Sequence, residues 1–547
     1  MPGITKLTCR AAAFAAAAVL CAGAAIAQAR YPTTVLVRQG DTVAGVGLVT
    51  TIDGLTINDS GSWLVKADTN GDASTDSVLL KDGVLYIREG DPLALPAGAS
   101  VSSVDSINLN GGGNSGWNLF LRGPAANKDS GIFINTSLVL QEGDISIAPQ
   151  FTPGTPYIGF FDAKINDAEQ IATVASVDDP VIPSSVDRAL VVITTSGGAL
   201  AAEAVSAKEG DALPGQTQLV VELGTGPHES AFNNAGQVLF FADMDGSTTT
   251  DGVVYLDGEL IAQEGLASPV PGRSYELLTS RGRDLNGYGQ WAMKANLDGD
   301  ASSDEVILAS GRVVAQEGTN LPAIGPWLFT SFGATSGPVA IDDLGNVLWY
   351  GDWDDPVLTK DTALFLNDIM ILREGDIVGS GRAVNQLANA QDAFALSPNG
   401  RWIILETSLD DLTQAALRIE VQGPPPVPDG ARVPGDEMTA SRNPNGTGID
   451  LQWDAAACPA ADYNLFYGPL AGVGTYAYTG AACGLGSTGA ATFTPPPLAG
   501  DLFWLIASAA ATGIEGVHGF DSAGKARPAK AAGLCGVISQ VRSDWCP

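Results

Sequence analysis

Short runs of apolar residues alternate with turn residues along most of the chain, and one stretch represents the pattern. In VVYLDGELIAQEG (253–265), two predicted strands flank the dipeptide Asp257-Gly258. Both central residues of such a two-residue turn need positive φ, which Gly accepts freely and Asp tolerates. The stretch therefore predicts a β-hairpin, Val253–Leu256 with Glu259–Gln263.

This hairpin is the repeating unit of the chain. Copies lie at 79–91, 132–144, 306–318 and 364–376, with shorter matches at 35–41 and 205–211. The glycines of the closing Glu-Gly-Asp motif or its variants stand at 40, 90, 143, 210, 265, 318 and 375, so the period is 50 to 67 residues. An Asn/Asp-rich turn followed by a strand forms a second marker, at 56–68, 106–123, 163–175, 231–243, 283–296, 339–352 and 395–408. Both markers indicate seven units.

A period near fifty, with three or four short strands per unit, is typical of propeller blades such as kelch-type repeats. The first predicted strand, Val35–Arg38, matches the last strand of the other units. The last predicted strand of the repeats, at 416–422, matches the strand that comes just before that one in the other units. Pairing Val35–Arg38 with Leu417–Val421 would complete the seventh unit and remove an exposed sheet edge. We therefore predict an all-β fold: a seven-bladed β-propeller over residues 30–422, closed by N- and C-terminal strands. A superhelical solenoid is the alternative.

A Pro-rich linker, residues 423–437, marks the end of this ring. Short strands follow at the spacing of a β-sandwich. Trp453, the aromatic cluster Tyr463, Phe466 and Tyr467, and the segment 515–528 resemble fibronectin type III domains. The resemblance predicts a fibronectin type III-like β-sandwich over residues 438–530, with a disulfide-closed tail at 531–547.

The N-terminus resembles a secretory signal peptide, residues 1–29. Lys6 and Arg10 precede an uncharged run that ends in small residues suited to cleavage. No other uncharged apolar run approaches the length of a membrane span, so we expect a secreted or periplasmic protein without one. The net charge of −33 becomes −35 when Lys6 and Arg10 leave. Such a surface disfavours nucleic acid and anionic lipid; it suits divalent cations or simply solubility.

The cysteines outside the leader all lie near the C-terminus, at Cys458, Cys483, Cys535 and Cys546. An even number in an exported chain predicts disulfides. Among the three possible connectivities we favour nearest neighbours, Cys458–Cys483 with Cys535–Cys546. A zinc site is not expected, because no Cys-x-x-Cys pair or nearby His supplies ligands.

Acidic loops in several units carry the clearest chemical signal. They repeat Asp or Asn at positions 1, 3, 5 and 9, as Asp68, Asn70, Asp72 and Asp76; as Asn296, Asp298, Asp300 and Asp304; and in part as Asp243, Asp245 and Asp251. Ca2+ takes such hard oxygen ligands, and the loops resemble those of integrin-like propellers and dockerin modules. The alternative is an Asx-rich turn that caps backbone N–H groups without an ion. We expect Ca2+ as a structural cofactor if the first interpretation holds.

Other candidates for chemistry are weaker. The Glu-Gly-Asp acids could form a ring of carboxylates, but their repetition in every unit favours bonds to neighbouring backbone. Neither His228 nor His518 lies in a recognisable nucleophile motif. Recurrent tryptophans fit packing between blades better than sugar stacking; they are Trp63, Trp117, Trp291, Trp349 and Trp402.

Taken whole, the chain resembles a class of uncharacterised exported bacterial proteins in which Glu-Gly-Asp repeats precede a fibronectin-like module. The resemblance implies no activity. Our leading hypothesis is a non-enzymatic binding or surface-associated scaffold with an extracellular glycan or protein partner, and we assign no catalytic residue. The alternative is a carbohydrate-active hydrolase or lyase that uses paired carboxylates at the propeller channel. An enzyme should gather acids and aromatics unequally at one mouth, whereas a scaffold should present equivalent positions around the ring.

Overall fold

The computed structural model describes residues 29–181, 187–226, 229–430, 433–494, 501–510, 514–522 and 525–527, with short stretches at 534–536, 539–540, 543 and 546. The predicted leader lies outside these residues except for Ala29. The described chain is all-β and consists of many small, mainly antiparallel sheets, as predicted. None of its helices is long and apolar enough to cross a membrane.

Between Thr33 and Glu420 the described strands form seven successive sheets, numbered here 1 to 7. Sheet 1 has Thr42–Val43, Gly47–Ile57, Trp63–Thr69, Ser77–Lys81 and Val84–Arg88; sheet 2 has Ser100–Val104, Gly116–Arg122, Ser130–Ile134 and Ser137–Gln141; sheet 3 has Tyr157–Ile165, Ile171–Val177, Arg188–Ser196 and Ala199–Lys208; sheet 4 has Val220–Glu222, Ser230–Phe232, Val238–Met244, Gly252–Leu256 and Glu259–Gln263. Sheet 5 has Tyr275–Leu285, Trp291–Leu297, Glu305–Ala309 and Arg312–Gln316; sheet 6 has Phe329–Ser331, Ala340–Ile341, Val347–Trp353, Thr362–Leu366 and Ile369–Arg373; sheet 7 has Val384–Leu387, Phe394–Leu396, Trp402–Leu409, Gln414–Glu420 and Thr33–Arg38.

The predicted hairpins form the outer pair of strands in these sheets. In sheet 4, Leu256 pairs with Glu259 across the turn. Asp257 has φ 50° and Gly258 has φ 86°, the left-handed conformations that the Asp-Gly dipeptide predicts. The local turn chemistry therefore fixes the hairpin register.

Sheet 7 combines the two ends of the repeat region. Thr33–Arg38 pairs antiparallel with Gln414–Glu420, with Val35 opposite Leu417 and Arg38 opposite Ala415. Val37 is buried and packs with Ile404 and Ala416 against sheet 1. The predicted pairing of the terminal strands is thus confirmed, and sheets 7 and 1 share a core.

Neighbouring sheets bury their faces against each other. Trp349 of sheet 6 is fully buried and stacks on Phe365, with ring centroids 4.6 Å apart. The same core includes Ala292 and Ile307 of sheet 5. Trp63, Trp117 and Trp291 are also buried, and Trp402 packs partly buried against the core between sheets 1 and 7. The tryptophans therefore pack between sheets, as predicted.

A chain of hydrogen bonds, here called the Asx belt, links the turns that follow the innermost strands. Its members are Asn58, Asn110, Asn166, Asn233, Asn286, Asp342 and Ser397. Asn233 is typical: its Oδ1 accepts the N–H groups of Ala235 and Gln237, and its Nδ2 donates to the Asn286 carbonyl at 2.9 Å. The side chain therefore caps its own turn and bonds to the next sheet.

The belt closes on itself. The five asparagines donate in succession from sheet 1 to sheet 6, at 2.8–3.2 Å. The Asp342 carboxylate has no N–H to donate, and there the backbone N–H of Asp343 bonds to the Pro398 carbonyl at 2.7 Å. Asn399 then donates to the Asp59 carbonyl at 3.0 Å, which returns the chain of bonds to sheet 1.

Two further sheets follow the repeats within the described residues. One orders Thr439–Arg442, Ile449–Gln452 and Ala490–Phe493; the other orders Gly480–Ala482, Asp462–Pro469, Leu502–Ala509, Ile514–Glu515 and Ser539–Gln540. The 3-10 helices are Pro322–Ile324, Leu470–Thr475 and Leu534–Gly536. Residues 424–426 of the Pro-rich segment are buried, and the Ser508 hydroxyl donates to the Pro425 carbonyl. Leu344 of sheet 6 packs with Val433 and Val517.

The predicted disulfide pairing is wrong. Within the described residues, Cys458 bonds Cys546 and Cys483 bonds Cys535, with Cα–Cα distances of 5.1 and 5.3 Å. Within the described part of the tail, Ser539–Gln540 pairs parallel with Ile514–Glu515 of the second C-terminal sheet. Proximity in sequence is a weak guide to pairing, since the entropic cost of closing a loop grows only slowly with its length. Both bridges therefore tie the tail to the region of the two C-terminal sheets instead of closing the tail on itself.

Candidate functional site

The acids of the Glu-Gly-Asp turns bond to backbone. Glu264 accepts the N–H of Gly252 in its own sheet at 3.2 Å and that of Leu278 in the next sheet at 2.9 Å. In the same way, Glu209 accepts the backbone N–H of Arg188 in its own sheet at 3.0 Å and that of Leu223 in the next sheet at 2.8 Å. The motif Asp accepts the N–H three residues before it, as Asp91 does from Arg88. These carboxylates connect neighbouring units, which supports the structural interpretation of the motif.

The predicted calcium loops use several of their oxygens internally. Asp72 accepts the N–H and hydroxyl of Ser74 at 3.0 and 2.7 Å, and these bonds lower the pKa of Asp72. Asp300 does the same with Ser302. Asn70, Asp245 and Asp298 each cap a backbone N–H of the preceding strand, those of Leu48, Leu219 and Ser274.

The remaining predicted ligands lie at the edges of these loops. The penultimate residues of their strands are Asp68, Asp243 and Asn296. The loops are closed by Asp76, Asp251 and Asp304, each of which accepts an N–H at its backbone carbonyl. Among the described residues no group of three or more His, Cys, Asp or Glu side chains is arranged to hold a metal ion. The calcium site stays a prediction.

The histidines offer no acid–base site in the described chain. His228 lies outside the described residues. His518 lies in the sandwich, fully buried, with Nε2 2.9 Å from Glu515 and Nδ1 3.2 Å from the Tyr478 hydroxyl. Phe466 stacks on its ring. This network stabilises the interior of the sandwich.

The innermost strands break the symmetry of the seven units. They run unbroken in sheets 1 and 3, as Gly47–Ile57 and Tyr157–Ile165. In sheets 4, 6 and 7 the described strands are interrupted, at residues 223–226, 332–339 and 388–393. In sheet 5 the register jumps between Leu278 and Arg283, so that residues 279–282 bulge from the ladder. Consecutive sheets therefore project irregular segments where sheets 1 and 3 have regular strand.

The segments of sheets 4, 5 and 6 line a cavity of about 650 Å3, which we call the acidic cleft. Its carboxylates are Glu222, Glu229, Asp243, Asp251 and Glu264; its described lining adds one cation, Arg281, one aromatic ring, Phe241, and the hydroxyl side chains Thr225, Thr248, Thr279, Thr335 and Ser336. Asp243 is the penultimate residue of the strand Val238–Met244 in sheet 4, and Asp251 lies in the loop after that strand. In an antiparallel sheet that loop lies at the opposite end from the Asx belt.

Glu229 and Arg281 form the centre of the cleft. Glu229 Oε1 accepts the Arg281 Nε–H at 3.0 Å and the Gly226 N–H at 3.2 Å. Arg281 Nη1 donates to Gln391 of sheet 7 at 2.5 Å. Glu229 is 5% exposed, and its Oε2 has no hydrogen-bond partner among the described residues.

Glycines let the backbone wrap this pair closely. A Cβ at Gly224 would overlap the Glu229 carboxylate, and one at Gly226 would overlap the Arg281 guanidinium. Below them the buried Arg283 donates to the Glu229 carbonyl at 2.9 Å, and burial lowers the pKa of Arg283 to about 10. Gly224 and Gly226 thus let the backbone follow the contour of the ion pair.

The carboxylates of the cleft repel each other. Burial, followed by the charges of Asp251, Glu222 and Glu264, raises the pKa of Asp243 to about 6. Burial also raises the pKa of Glu264. A positively charged ligand would relieve this repulsion, because opposite charge favours the ionised form.

The opposite mouth is smaller and regular. Its cavity of about 190 Å3 is lined by residues from all seven sheets, including the belt residues Asn58, Asn110, Asn233 and Asn286. Each of these side chains donates to the backbone carbonyl of the next belt residue. The belt asparagines at this mouth are therefore already used in bonds between the sheets.

Reasoning from the sequence missed Glu229, Arg281 and Gln391. They lie 52 and 110 residues apart along the chain, and no short motif contains them. One signal was present: the interval from the Glu-Gly-Asp glycine to the belt residue grows from 18 residues at Gly40–Asn58 to 23 at Gly210–Asn233. Sheet 3 shows the same longer interval without an interrupted strand, so the signal alone would not have located the cleft.

Known proteins give limited context. Residues 19–256 match a family of unknown function, DUF7453. None of the curated proteins matches the chain. Among solved structures, similarity extends to a puromycin-hydrolyzing peptidase of Mycobacterium tuberculosis, with TM-score 0.31, 13% identity and 70% of this chain aligned to 53% of that one.

Two propeller-type proteins are also similar. A calcium-binding regucalcin of Agrobacterium tumefaciens str. C58 has TM-score 0.23 and 10% identity over 58% of this chain and 91% of that one. A Trypanosoma rangeli sialidase has TM-score 0.29 and 8% identity over 88% and 87%. The chain spans about half the length of the peptidase. Similarity this low does not assign an activity.

Proposed function

We propose that the protein is an exported, non-enzymatic binding protein: a seven-bladed β-propeller that takes a ligand into the acidic cleft, followed by a fibronectin type III-like module. The observation that carries the proposal is the convergence of interrupted inner strands on one end, where Glu229, Arg281 and Gln391 meet. A scaffold that used only equivalent loops would not need this asymmetry.

The fold assignment has support from the order of the strands. Seven described sheets with shared cores and a closed belt fit a propeller of seven blades. In the C-terminal region, three strands in one sheet and a second sheet built around Asp462–Pro469 and Leu502–Ala509 fit a fibronectin type III arrangement. The two disulfides of the described chain fit a protein outside the reducing cytoplasm, which supports export.

The chemistry of the cleft favours binding over catalysis. Its volume lies in the range of small-molecule sites, about 300–1,000 Å3. Sugar-processing sites rely on aromatic faces as well as acids, and Phe241 is the one aromatic residue in the described lining. Glu229, a buried carboxylate of the lining, is held by Arg281, which suits a fixed recognition group.

One experiment tests binding at this end. A ligand library of glycans, amino acids and amines is screened by thermal shift against wild type, Thr335→Trp and Ala235→Trp. Thr335 is exposed in the cleft and Ala235 is exposed beside the belt. We expect at least one ligand to raise the melting temperature of wild type and Ala235→Trp but not of Thr335→Trp. Equal shifts in both variants, or none with any ligand, would refute the proposal.

A glycoside hydrolase is the second candidate. Asp243, with a pKa raised to about 6, has the property of a general acid beside carboxylates that stay ionised. Purified protein incubated with a panel of aryl glycosides distinguishes the two functions. Release of the aryl group that Asp243→Asn abolishes would favour the hydrolase; we expect no release.

A further inference from the structure

We propose that the Cys458–Cys546 disulfide is an oxidation-dependent lock that fixes the C-terminal sheets on the ring, whereas Cys483–Cys535 braces the C-terminal sheets alone. This lock goes beyond the binding function proposed above and involves no ligand. The positions of the two bridges carry the proposal. One bridge lies in a buried cluster that includes a residue of the ring, and the other lies in a cluster whose described members all belong to the C-terminal region.

The first bridge lies where the ring meets the C-terminal sheets. Leu344, in the belt turn of sheet 6, is fully buried, and so is Cys458. Both belong to one cluster, here called the junction core, which also contains Val433, Val517, Phe520 and Ala526, with the partly buried Cys546 packed against it. The bridge therefore ties the end of the chain into the contact between the C-terminal sheets and the ring.

The second bridge lies in a different core. Cys535 packs against the cluster of Phe466, Leu505 and Ala507. Its partner Cys483 is exposed. Loss of this bridge should therefore loosen the C-terminal sheets locally and leave the junction core in place.

The tail also supports a second contact with the ring. The strand Ser539–Gln540 lies between Cys535 and Cys546 in sequence and pairs with Ile514–Glu515. Ile514 is buried and belongs to the core of sheets 6 and 7, together with Tyr31. Tyr31 comes just before the strand that closes the ring. A tail held in place by the lock therefore supports the segment on which closure of the ring depends.

The lock forms by thiol–disulfide exchange with an external disulfide, either a small molecule or a protein outside the cytoplasm. The thiols of Cys458 and Cys546 give up two protons and two electrons, one S–S bond forms between them, and the external disulfide is reduced to two thiols. A reducing cytoplasm keeps the two thiols apart. The cross-link removes conformational freedom from the undocked state and so favours the docked one. With the export proposed above, the C-terminal sheets become fixed on the ring only after the protein leaves the cytoplasm.

Hydrogen exchange measured by mass spectrometry on the oxidised, full mature chain tests the lock. The matched variants each replace one bridge by two serines: Cys458→Ser with Cys546→Ser, and Cys483→Ser with Cys535→Ser. We expect the first variant to speed exchange about tenfold or more at residues 342–346 and 31–38, because the junction core opens. The second variant should leave both segments within about twofold of wild type. Residues 286–290, in the belt turn of sheet 5, should stay unchanged in both.

Three results would overturn the proposal. They are equal acceleration in the two variants, unchanged exchange at 342–346 in the first variant, and equal acceleration at 286–290, which would show a general loss of stability. Because the purified chain is oxidised before the measurement and no ligand is added, the result depends neither on export nor on the binding function.

A second measurement applies if the first variant fails to fold by circular dichroism. The variant Cys483→Ser with Cys535→Ser, in which Cys458–Cys546 is the one remaining bridge of the mature chain, is then measured before and after reduction with a dithiol. Alkylation of the freed thiols reports when that bridge is open. We expect the same acceleration at 342–346 on reduction, and an open bridge without acceleration would overturn the proposal.

Discussion

The two ends of the ring of sheets contain the same repeated units but differ in what the units do there. At the Asx belt, side chains from successive sheets occupy equivalent positions, and each asparagine donates to the backbone carbonyl of the next belt residue. At the acidic cleft, inner strands are interrupted and the residues that meet, Glu229, Arg281 and Gln391, have no equivalents around the ring. Repetition therefore builds the scaffold, whereas departures from it build the site.

The largest loss of stability should come from a substitution that weakens the closure of the ring. Two distinct mouths exist only in a closed ring. Val37 is buried between sheets 7 and 1, whereas Thr34 on the same strand is exposed. Val37→Asp places a charge in that core and should lower the free energy of unfolding by about 4 kcal/mol. Thr34→Asp should change it by less than about 1 kcal/mol in urea denaturation. Similar losses in both would mean that the terminal strand does not pack as described.

A belt residue should matter to stability more than a cleft residue. Asn233→Ala removes two caps and the bond to the Asn286 carbonyl, all buried, and should cost about 2–4 kcal/mol. Thr335→Ala, in the cleft, should cost less than about 0.5 kcal/mol. Thermal denaturation of both variants under one condition makes the comparison. If the cleft variant lost as much as the belt variant, the division between scaffold and site would be wrong.

The repulsion in the cleft predicts a pH dependence that the belt lacks. Because the pKa of Asp243 is raised to about 6 by burial and by Asp251, Glu222 and Glu264, its ionisation opposes folding. The folded state is therefore most stable, as far as Asp243 is concerned, below the unfolded-state pKa, where the carboxyl is protonated in both states. Stability is lost as the pH rises toward 6 and the buried carboxyl must ionise. Asp243→Asn should therefore raise the melting temperature at pH 7 by about 2 °C, with a smaller gain at pH 5.

The pH series has a direct control. Asp59→Asn, at the exposed belt turn, should show no such trend, since Asp59 accepts the Asn399 N–H there. A difference between wild type and Asp243→Asn that is constant from pH 5 to pH 7 would contradict the repulsion.

The smallest effect concerns calcium. If the loops at 68–76 and 296–304 bind Ca2+, chelation should lower the melting temperature by about 1–3 °C, since a weak site adds little stability. Asp68→Ala with Asp72→Ala should remove part of that shift. An identical melting curve with and without chelator would dispose of the calcium prediction.

The repeats could be predicted because their signals are local. Asp257-Gly258 encodes its turn within two residues, and the belt asparagines cap turns four residues long. The cleft could not be predicted, because Arg281 reaches Glu229 and Gln391 only after the sheets pack side by side. The pairing of Cys458 with Cys546 likewise depends on where the tail lies against the sandwich. The hairpins and belt turns could be predicted because a few neighbouring residues determine them. The cleft and the disulfides could not, because they depend on packing between segments that are distant in sequence.

Hydrogen exchange measured by mass spectrometry tests most directly whether the acidic cleft is the ligand site. The full chain is compared with and without a saturating ligand from the screen. The account predicts slower exchange in residues 223–226, 279–282 and 332–339, and no change at the belt turns, such as 58–62. Slower exchange at the belt turns, with none in the interrupted strands, would contradict it.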